Sequence, residues 1–246
     1  MRNKYRILKI LFTVMLLGVL LSFSLDRFSS KILTEKDIKV HFLENEGKKV
    51  YFLKEGKIRE MVYSSNPDKK IGTLNVSAIE KKLESYPEVD SANVFLNLKG
   101  ELFLEIAQKI PVFRLKHGNH EVYVDTHGKE FPLSKNYSCP CMLVSGKIPT
   151  TEYENLVHLV DKINRDAFYR SYFIGIIKKN KDYFLIASKN PYKIEFGDLE
   201  NIDTKLRGFK TFVERYLAFQ NPKKYKKISV KYRNQIVATQ NPNFVK

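Results

Sequence analysis

Cysteine is scarce in this chain: Cys139 and Cys141 are the only two among 246 residues. A disulfide between residues two positions apart is strained, because their Cα atoms and side-chain directions rarely suit its geometry. Two thiolates also lack the further ligands that a zinc site needs. The sequence therefore excludes a disulfide framework. It favours structural thiols, with a redox or metal role for this pair as the alternative.

Recognisable catalytic motifs are also lacking. The chain contains no His-Glu-x-x-His, no Gly-x-Ser-x-Gly and no Gly-rich phosphate loop, and its five histidines show no ligand spacing. Ser134 or Ser145 could be combined with His127 and Asp125 into a Ser-His-Asp triad. Such a combination can be picked out of any chain of this size, so it is weak evidence for catalysis. We therefore expect no enzyme, metal, cofactor or small-molecule substrate. The alternative is a tethered enzyme acting on wall polymers, with Cys139 or Cys141 as nucleophile.

Long apolar runs are absent except at the N-terminus, where residues 10–25 carry no charge. With Lys9 extending its ammonium to the headgroups, residues 7–25 would form a helix of roughly 28 Å, close to the ~30 Å hydrocarbon core of a bilayer. The run is preceded by Arg2, Lys4, Arg6 and Lys9. This basic flank stays in the cytoplasm by the positive-inside rule, so the rest of the chain is exported.

The sequence thus predicts a cytoplasmic tail at residues 1–9, a transmembrane helix at 10–25 and a polar connector at 26–36. A cleaved signal peptide is the alternative, because Ser22-Phe23-Ser24 fits a small-x-small cleavage site.

Acidic residues are fewer than basic ones, 27 against 43, which gives a formal net charge of +16. Such a balance invites a nucleic-acid interpretation, but the basic residues are scattered, no DNA- or RNA-binding motif occurs, and the anchor places the chain outside the cytoplasm. A basic exported domain fits instead beside the anionic headgroups of the cytoplasmic membrane or an anionic wall polymer.

Hydrophobic patterning after the anchor predicts an α+β fold. Alternation at residues 38–42 indicates a strand, residues 49–64 fit a short helix, and Ser77-x-x-Glu80 has the form of a capping box that opens a second helix. Two further alternating runs, at residues 92–98 and 102–106, indicate a hairpin. The predicted order over residues 37–111 is therefore strand, helix, helix, strand, strand.

Residues 112–240 predict a second, mixed β domain with flanking helices, followed by a tail at 241–246. A hairpin turns near Gly128, and helices are expected at residues 152–163 and 201–218, with Leu206 and Phe209 in the core. Further strands are expected at residues 142–144, 173–177, 183–187 and 192–196. Alternation over residues 227–238 predicts one last strand.

This layout resembles the bacterial cell-division family FtsQ, called DivIB in Gram-positive bacteria. Residues 79–89, with Pro87 and Val89, and residues 105–112, with Gln108 and Pro111, look like the signature that closes the family's POTRA module. The β domain resembles the family in several stretches, which are Tyr123-x-Asp125-x-x-Gly128 with Pro132, residues 142–146, the helix at 201–216 with Lys205 and Phe209, and residues 225–240.

The resemblance implies a single-pass, non-enzymatic divisome scaffold at the division septum, with its bulk in the periplasm. It implies that the β domain recruits FtsB- and FtsL-like proteins by strand addition at its C-terminal edge, linking early division proteins to septal peptidoglycan synthesis. The POTRA-like module is expected to help localisation, through division proteins such as FtsK. The alternative is a POTRA-containing periplasmic adaptor for outer-membrane protein assembly or secretion.

The expected partner-binding residues lie on the predicted last strand. They are Tyr225, Lys227, Ser229, Lys231, Tyr232, Arg233, Gln235 and Ile236. Tyr225, Tyr232 and Ile236 would supply apolar contacts. The basic residues would pair with acidic residues of the partner, or would only protect a bare edge from aggregation. Exposed lysines of the helix at 201–218 and Arg215 are secondary candidates.

Overall fold

The N-terminal helix α1 covers Arg2–Ser29 in the computed structural model, which describes residues 2–45 and 47–244. Its segment Tyr5–Ser29 is long and apolar enough to cross a membrane, and its apolar side chains are exposed. The helix continues past the predicted end at residue 25, because residues 26–29 contain neither glycine nor proline to interrupt it. The chain divides into an N-terminal unit, residues 1–109, and a C-terminal unit, residues 110–246.

The N-terminal unit confirms the predicted order of strand, helix, helix, strand, strand. After α1 its elements are β1 (Ile38–Leu43), α2 (Glu55–Ser65), α3 (Val76–Glu84), β2 (Val89–Leu96) and β3 (Leu102–Gln108). The central strand β3 runs parallel to β1 and antiparallel to β2. Its alternate residues Leu102, Leu104 and Ile106 are fully buried, and they pack with apolar residues of both helices. One face of the sheet is thus covered by α2 and α3.

The predicted capping box of α3 is wrong. The helix begins at Val76 and is capped by Asn75, whose side-chain oxygen accepts a hydrogen bond from the Ala78 N–H at 2.9 Å. Ser77 therefore lies within the first turn rather than at the cap. Glu80 reaches the sheet instead, where its carboxylate accepts a hydrogen bond from the Val94 N–H of β2 at 3.0 Å.

Replacing Asn75 with alanine should lower the local stability of α3 by about 1 kcal/mol, the usual loss on removing an N-cap side chain. Ser77→Ala is the matched control and should change stability by only a few tenths of a kcal/mol, about the scatter of a surface change. Hydrogen exchange of the α3 amides in the full chain measures both. A larger loss of stability from Ser77→Ala than from Asn75→Ala would contradict the cap at Asn75 and support the capping box.

The C-terminal unit is a mixed nine-stranded sheet with three helices. Its strands are β4 (Pro111–His117), β5 (His120–Asp125), β6 (Glu130–Pro132), β7 (Met142–Ser145), β8 (Phe173–Lys179), β9 (Asp182–Ala187), β10 (Lys193–Gly197), β11 (Tyr225–Ser229) and β12 (Val237–Gln240). The helices are α4 (Tyr153–Arg165), α5 (Ala167–Tyr172) and α6 (Ile202–Arg215). In space the strand order is β12-β11-β10-β9-β8-β7-β4-β5-β6. The predicted α+β class is confirmed, whereas β4 and the short helix α5 were not predicted.

The core of the C-terminal unit lies between the sheet and its helices. Register aligns buried side chains into a row that crosses adjacent strands, including Val144, Ile176, Leu185 and Ile194. The apolar stripes of α4 and α6 join the same cluster, and Leu206 and Phe209 of α6 are buried as predicted. This packing holds α6 against the sheet.

Candidate functional site

The sequence pattern of residues 227–238 does not form the single strand that was predicted. β11 ends at Ser229 and β12 begins at Val237, and the two pair antiparallel. Residues 230–236 form the connecting loop, in which Asn234 adopts a left-handed φ of 59°. Asparagine tolerates this conformation better than most residues, so it suits a chain reversal here. β11 therefore lies inside the sheet, parallel to β10, and the edge strand is β12.

The two edges of the nine-stranded sheet differ in how they are protected. β6 spans only Glu130–Pro132, its proline has no N–H to donate, and Glu130 accepts a hydrogen bond from the Tyr153 hydroxyl at 2.5 Å. β12, Val237–Gln240, contains no charged residue and no proline. Natural edge strands are usually shielded by such residues. β12 is thus the edge that can accept a strand from another chain.

A groove of about 1140 Å³ lies between α6 and the loop at 230–236, next to this edge. The α6 side contributes Gly208 and Phe212, and the loop contributes Ile236. A Cβ placed on Gly208 would meet the Ile236 Cδ1 at 3.9 Å, an ordinary contact distance. The half-buried Phe212 ring stacks on Tyr216 with centroids 5.2 Å apart. The groove therefore contains an apolar, partly aromatic portion within a lining that is otherwise mostly polar or charged.

Positive charge dominates the groove. Arg207, Arg215 and Arg233 are exposed and form no ion pair within residues 2–45 and 47–244. The two lysines of the lining are paired: Lys205 with Asp198, and Lys231 with Asp182, whose atoms are 2.7 Å apart. Uncompensated guanidinium groups attract carboxylates and can bind them in two-point geometry. The groove thus suits an acidic ligand.

The ion pairs at the groove also set local pKa values. The hydrogen bond to Asp182 raises the pKa of Lys231 above its usual value, so the ammonium stays charged. Burial alone would raise the pKa of Asp198, but the hydrogen bonds from Lys205 and the Glu200 N–H, together with the charges of Lys205 and Lys231, outweigh burial and lower the pKa. Lys231 and Asp198 are therefore charged at neutral pH. The two acidic partners neutralise the lysines, so the three arginines outnumber the one remaining carboxylate of the lining, Glu200.

The structure brings together most of the predicted partner-binding residues. Those that line the groove are Lys231, Tyr232, Arg233, Gln235 and Ile236. Lys227 lies on β11 and pairs with Glu195 at 3.0 Å. Tyr225 and Ser229 are buried, so neither side chain is available at the surface. Burial and the hydrogen bond from its hydroxyl to Tyr216 raise the pKa of Tyr225 to about 12.

The α6 wall of the groove was largely missed from the sequence, apart from Arg215. Its residues Thr204, Gly208, Thr211 and Arg215 recur at helical spacing on the face opposite the buried Leu206. Two small residues and a glycine on one helix face could have signalled a concave surface. Arg207 adds a charge at the rim of that face.

Nothing in the described part of the chain gathers three His, Cys, Asp or Glu side chains closely enough to hold a metal ion. Cys139 and Cys141 are half-buried between β6 and β7, and the Cys139 N–H donates to the Tyr123 hydroxyl at 3.0 Å. The groove offers charge, main-chain edge and aromatic surface. That combination can bind a polypeptide.

A protein-family model matches the C-terminal part of this chain. The family model described as "FtsQ/DivIB, C-terminal related" matches residues 110–239. The match begins at the first residue of the C-terminal unit and includes α6, the loop at 230–236 and most of β12. A search of curated proteins found no match to the chain.

Proposed function

This chain belongs to the FtsQ/DivIB, C-terminal related family, and we propose that it is a divisome scaffold that binds other division proteins through β12 and the adjoining groove. The family supports a role in cell division, and its members are division scaffolds rather than enzymes. With the apolar helix α1, it also indicates a single-pass membrane protein. The proposal adds which surface binds, which proteins bind to it and how the chain is oriented in the membrane.

The observation that carries the proposal is the asymmetry between the two sheet edges. β6 is short and blocked by Pro132, whereas β12 presents an unshielded main chain beside a groove. A partner strand added to β12 would extend the sheet through main-chain hydrogen bonds. Specificity would come from the side chains that reach the groove.

We expect that partner strand to carry carboxylates and at least one apolar or aromatic residue. The carboxylates would meet Arg207, Arg215 and Arg233, and the apolar residue would pack against Phe212 and Ile236. FtsB- and FtsL-like proteins are the proposed partners. Tyr225 and Ser229, which were predicted from the sequence to bind a partner, are left out of the proposed surface because both side chains are buried.

The proposed topology places residues 1–9 in the cytoplasm, the membrane span near 10–25 and the remainder in the periplasm at the septum. Residues 37–111 would be the POTRA-like module, with contacts to division proteins such as FtsK. Residues 112–240 would be the β domain that recruits FtsB- and FtsL-like proteins and so links early division proteins to septal peptidoglycan synthesis.

The full chain in lipid nanodiscs should bind the periplasmic segments of the FtsB- and FtsL-like proteins of the same organism. Ala238→Pro and Thr239→Pro test the edge, because consecutive N–H groups of a strand point to opposite sides. One variant removes a bond to β11, and the other removes a donor for the partner. The variant that removes a donor for the partner should keep the thermal stability of the parent chain. It should nevertheless bind the partner at least about tenfold more weakly, a loss of about 1.4 kcal/mol.

The groove is tested by Arg207→Glu combined with Arg215→Glu, which should weaken binding by about tenfold or more through charge repulsion. The matched control, Lys189→Glu with Lys226→Glu, makes the same charge change at exposed lysines outside the groove. Equal binding by all stable variants would move the site away from β12. Failure of the parent chain to bind either segment would reject the proposed partners and favour the adaptor for outer-membrane protein assembly or secretion.

A further inference from the structure

The face of the nine-stranded sheet opposite α4, α5 and α6, here called the outer face, has an apolar centre. Register places Leu143 of β7 beside Gly175 of β8, and Gly175 beside Ile186 of β9. Two residues further along the strands, Ile177 lies beside Phe184. Four apolar side chains from three adjacent strands thus form one patch.

This patch does not contribute to the core. Leu143 is 45% exposed, and none of the four side chains belongs to the core cluster or packs against it. Gly175 is itself buried, and a Cβ added to it would meet only the Leu143 carbonyl oxygen within 4 Å, at 3.1 Å, so no side chain of the outer face packs directly on this glycine. A solvated sheet face is ordinarily polar. An apolar centre on such a face suits contact with another apolar surface.

Cations border the apolar centre on both sides. On β4, Arg114 lies beside Leu143 and Lys116 beside Ser145; on β10, Lys193 lies beside Ile186. Arg114 is paired with Glu121 at 2.8 Å. Lys116 and Lys193 are exposed and have no ion-pair partner anywhere in residues 2–45 and 47–244. The borders therefore carry unpaired positive charge.

We infer that the outer face binds an amphipathic helix of a partner protein, with the helix's apolar stripe on β7–β9 and its carboxylates facing Lys116 and Lys193. Strands lie about 4.8 Å apart, so β7–β9 present a strip about 10 Å wide, which equals the diameter of a helix with its side chains. A helix lying along the strands would place residues beside its stripe near both borders. This surface is separate from β12 and the groove, so the inference goes beyond the proposed function.

Two other occupants fit the charges less well. A second copy of this chain, docked face to face, would bring Lys116 and Lys193 against cations of the same kind. An anionic lipid surface would meet the carboxylates of Glu121 and Glu195, which lie on the same face as these cations. An acidic helix can place its own side chains to avoid them.

A photoreactive p-benzoylphenylalanine in place of Leu143, introduced into the full chain in its native cells, tests the inference. The matched control carries the same group in place of Phe219, which is 80% exposed in the same unit. We expect a protein adduct from position 143 and not from 219, mapping to a helix whose apolar stripe is bordered by Asp or Glu. Lys116→Glu with Lys193→Glu should reduce the adduct by about fivefold, the effect of losing two exposed ion pairs.

Lys189→Glu with Lys226→Glu should leave that adduct unchanged, and circular dichroism should show that both double variants fold. The inference is overturned by an adduct to lipid, to a second copy of the chain or to a segment without the acidic, amphipathic pattern. It is equally overturned if position 143 gives no more adduct than position 219, or if the adduct is insensitive to reversal of Lys116 and Lys193.

Discussion

Replacing Gln108 with leucine should lower the free energy of unfolding of the N-terminal unit by about 2–5 kcal/mol, because it leaves two buried main-chain groups without partners. Gln108 ends β3 and is only 2% exposed. Its side-chain amide donates to the Val50 carbonyl at 2.9 Å and accepts from the Leu53 N–H at 3.0 Å. Both partners are themselves buried, so water cannot replace the lost hydrogen bonds.

Gln108→Glu separates this effect from a simple change of packing. A carboxylate still accepts from the Leu53 N–H but cannot donate to Val50, and burial raises its pKa because it disfavours the charged form. A raised folded-state pKa means that protonation favours folding, so the variant should regain stability as the pH falls through that pKa. Hydrogen exchange at Leu53 and along β3 in the full chain measures the local loss. Protection equal to the parent chain in Gln108→Leu would contradict the prediction.

Gln108 also shows what sequence patterns leave out. It belongs to the Gln-basic-x-Pro stretch on which the family resemblance rests, but its partners lie more than fifty residues earlier in the chain. Those partners explain why α2 starts at Glu55 and not at residue 49: the segment from Val50 to Leu53 bends and is held by the Gln108 side chain of β3. No local periodicity reports a contact of that kind.

The second family stretch has a local cause and was predictable. The hairpin between β5 and β6 turns on Asp125, whose Oδ1 accepts hydrogen bonds from the N–H groups of His127 and Lys129, both at 2.9 Å. Gly128 follows with a left-handed φ of 69°, which glycine adopts without steric penalty. The Tyr-x-Asp-x-x-Gly spacing therefore encodes the turn within a few residues, and the predicted hairpin is confirmed.

The candidate site was predicted from the sequence only in part. Alternation at Ile228, Val230 and Tyr232 continues beyond the last residue of β11, so it predicts a longer strand than the sheet accommodates. The last hydrogen bond between this segment and β10 runs from the Val230 N–H to the Glu195 carbonyl at 2.9 Å, and the chain leaves the sheet after it. Five of the eight residues predicted to bind a partner nevertheless line the groove. Its α6 wall was largely missed because the predicted burial of Leu206 and Phe209 fixes which face of α6 is exposed, but not that the loop at 230–236 lies across that face.

The second large predicted effect concerns the buried face of α6. Phe209→Ala should destabilise the C-terminal unit by about 3–5 kcal/mol, the usual loss for a buried phenylalanine. Phe209 is 1% exposed, and its ring packs against Tyr172 and Phe173 with centroid distances of 5.2 and 5.4 Å. These contacts tie α6 to α5 and β8. Denaturant unfolding, followed by hydrogen exchange along β8, measures the loss.

Phe212→Ala is the matched control, three residues further along the same helix. Its ring is half-buried and lines the groove, so its removal should lower stability by only about 1 kcal/mol. It should instead weaken partner binding by about tenfold, as expected of an aromatic anchor in an interface. A large stability loss from Phe212→Ala with a small one from Phe209→Ala would mean that α6 is rotated and that the groove is not its exposed face. The expected opposite ranking, stability at 209 and binding at 212, assigns the two sides of one helix to the core and to the partner.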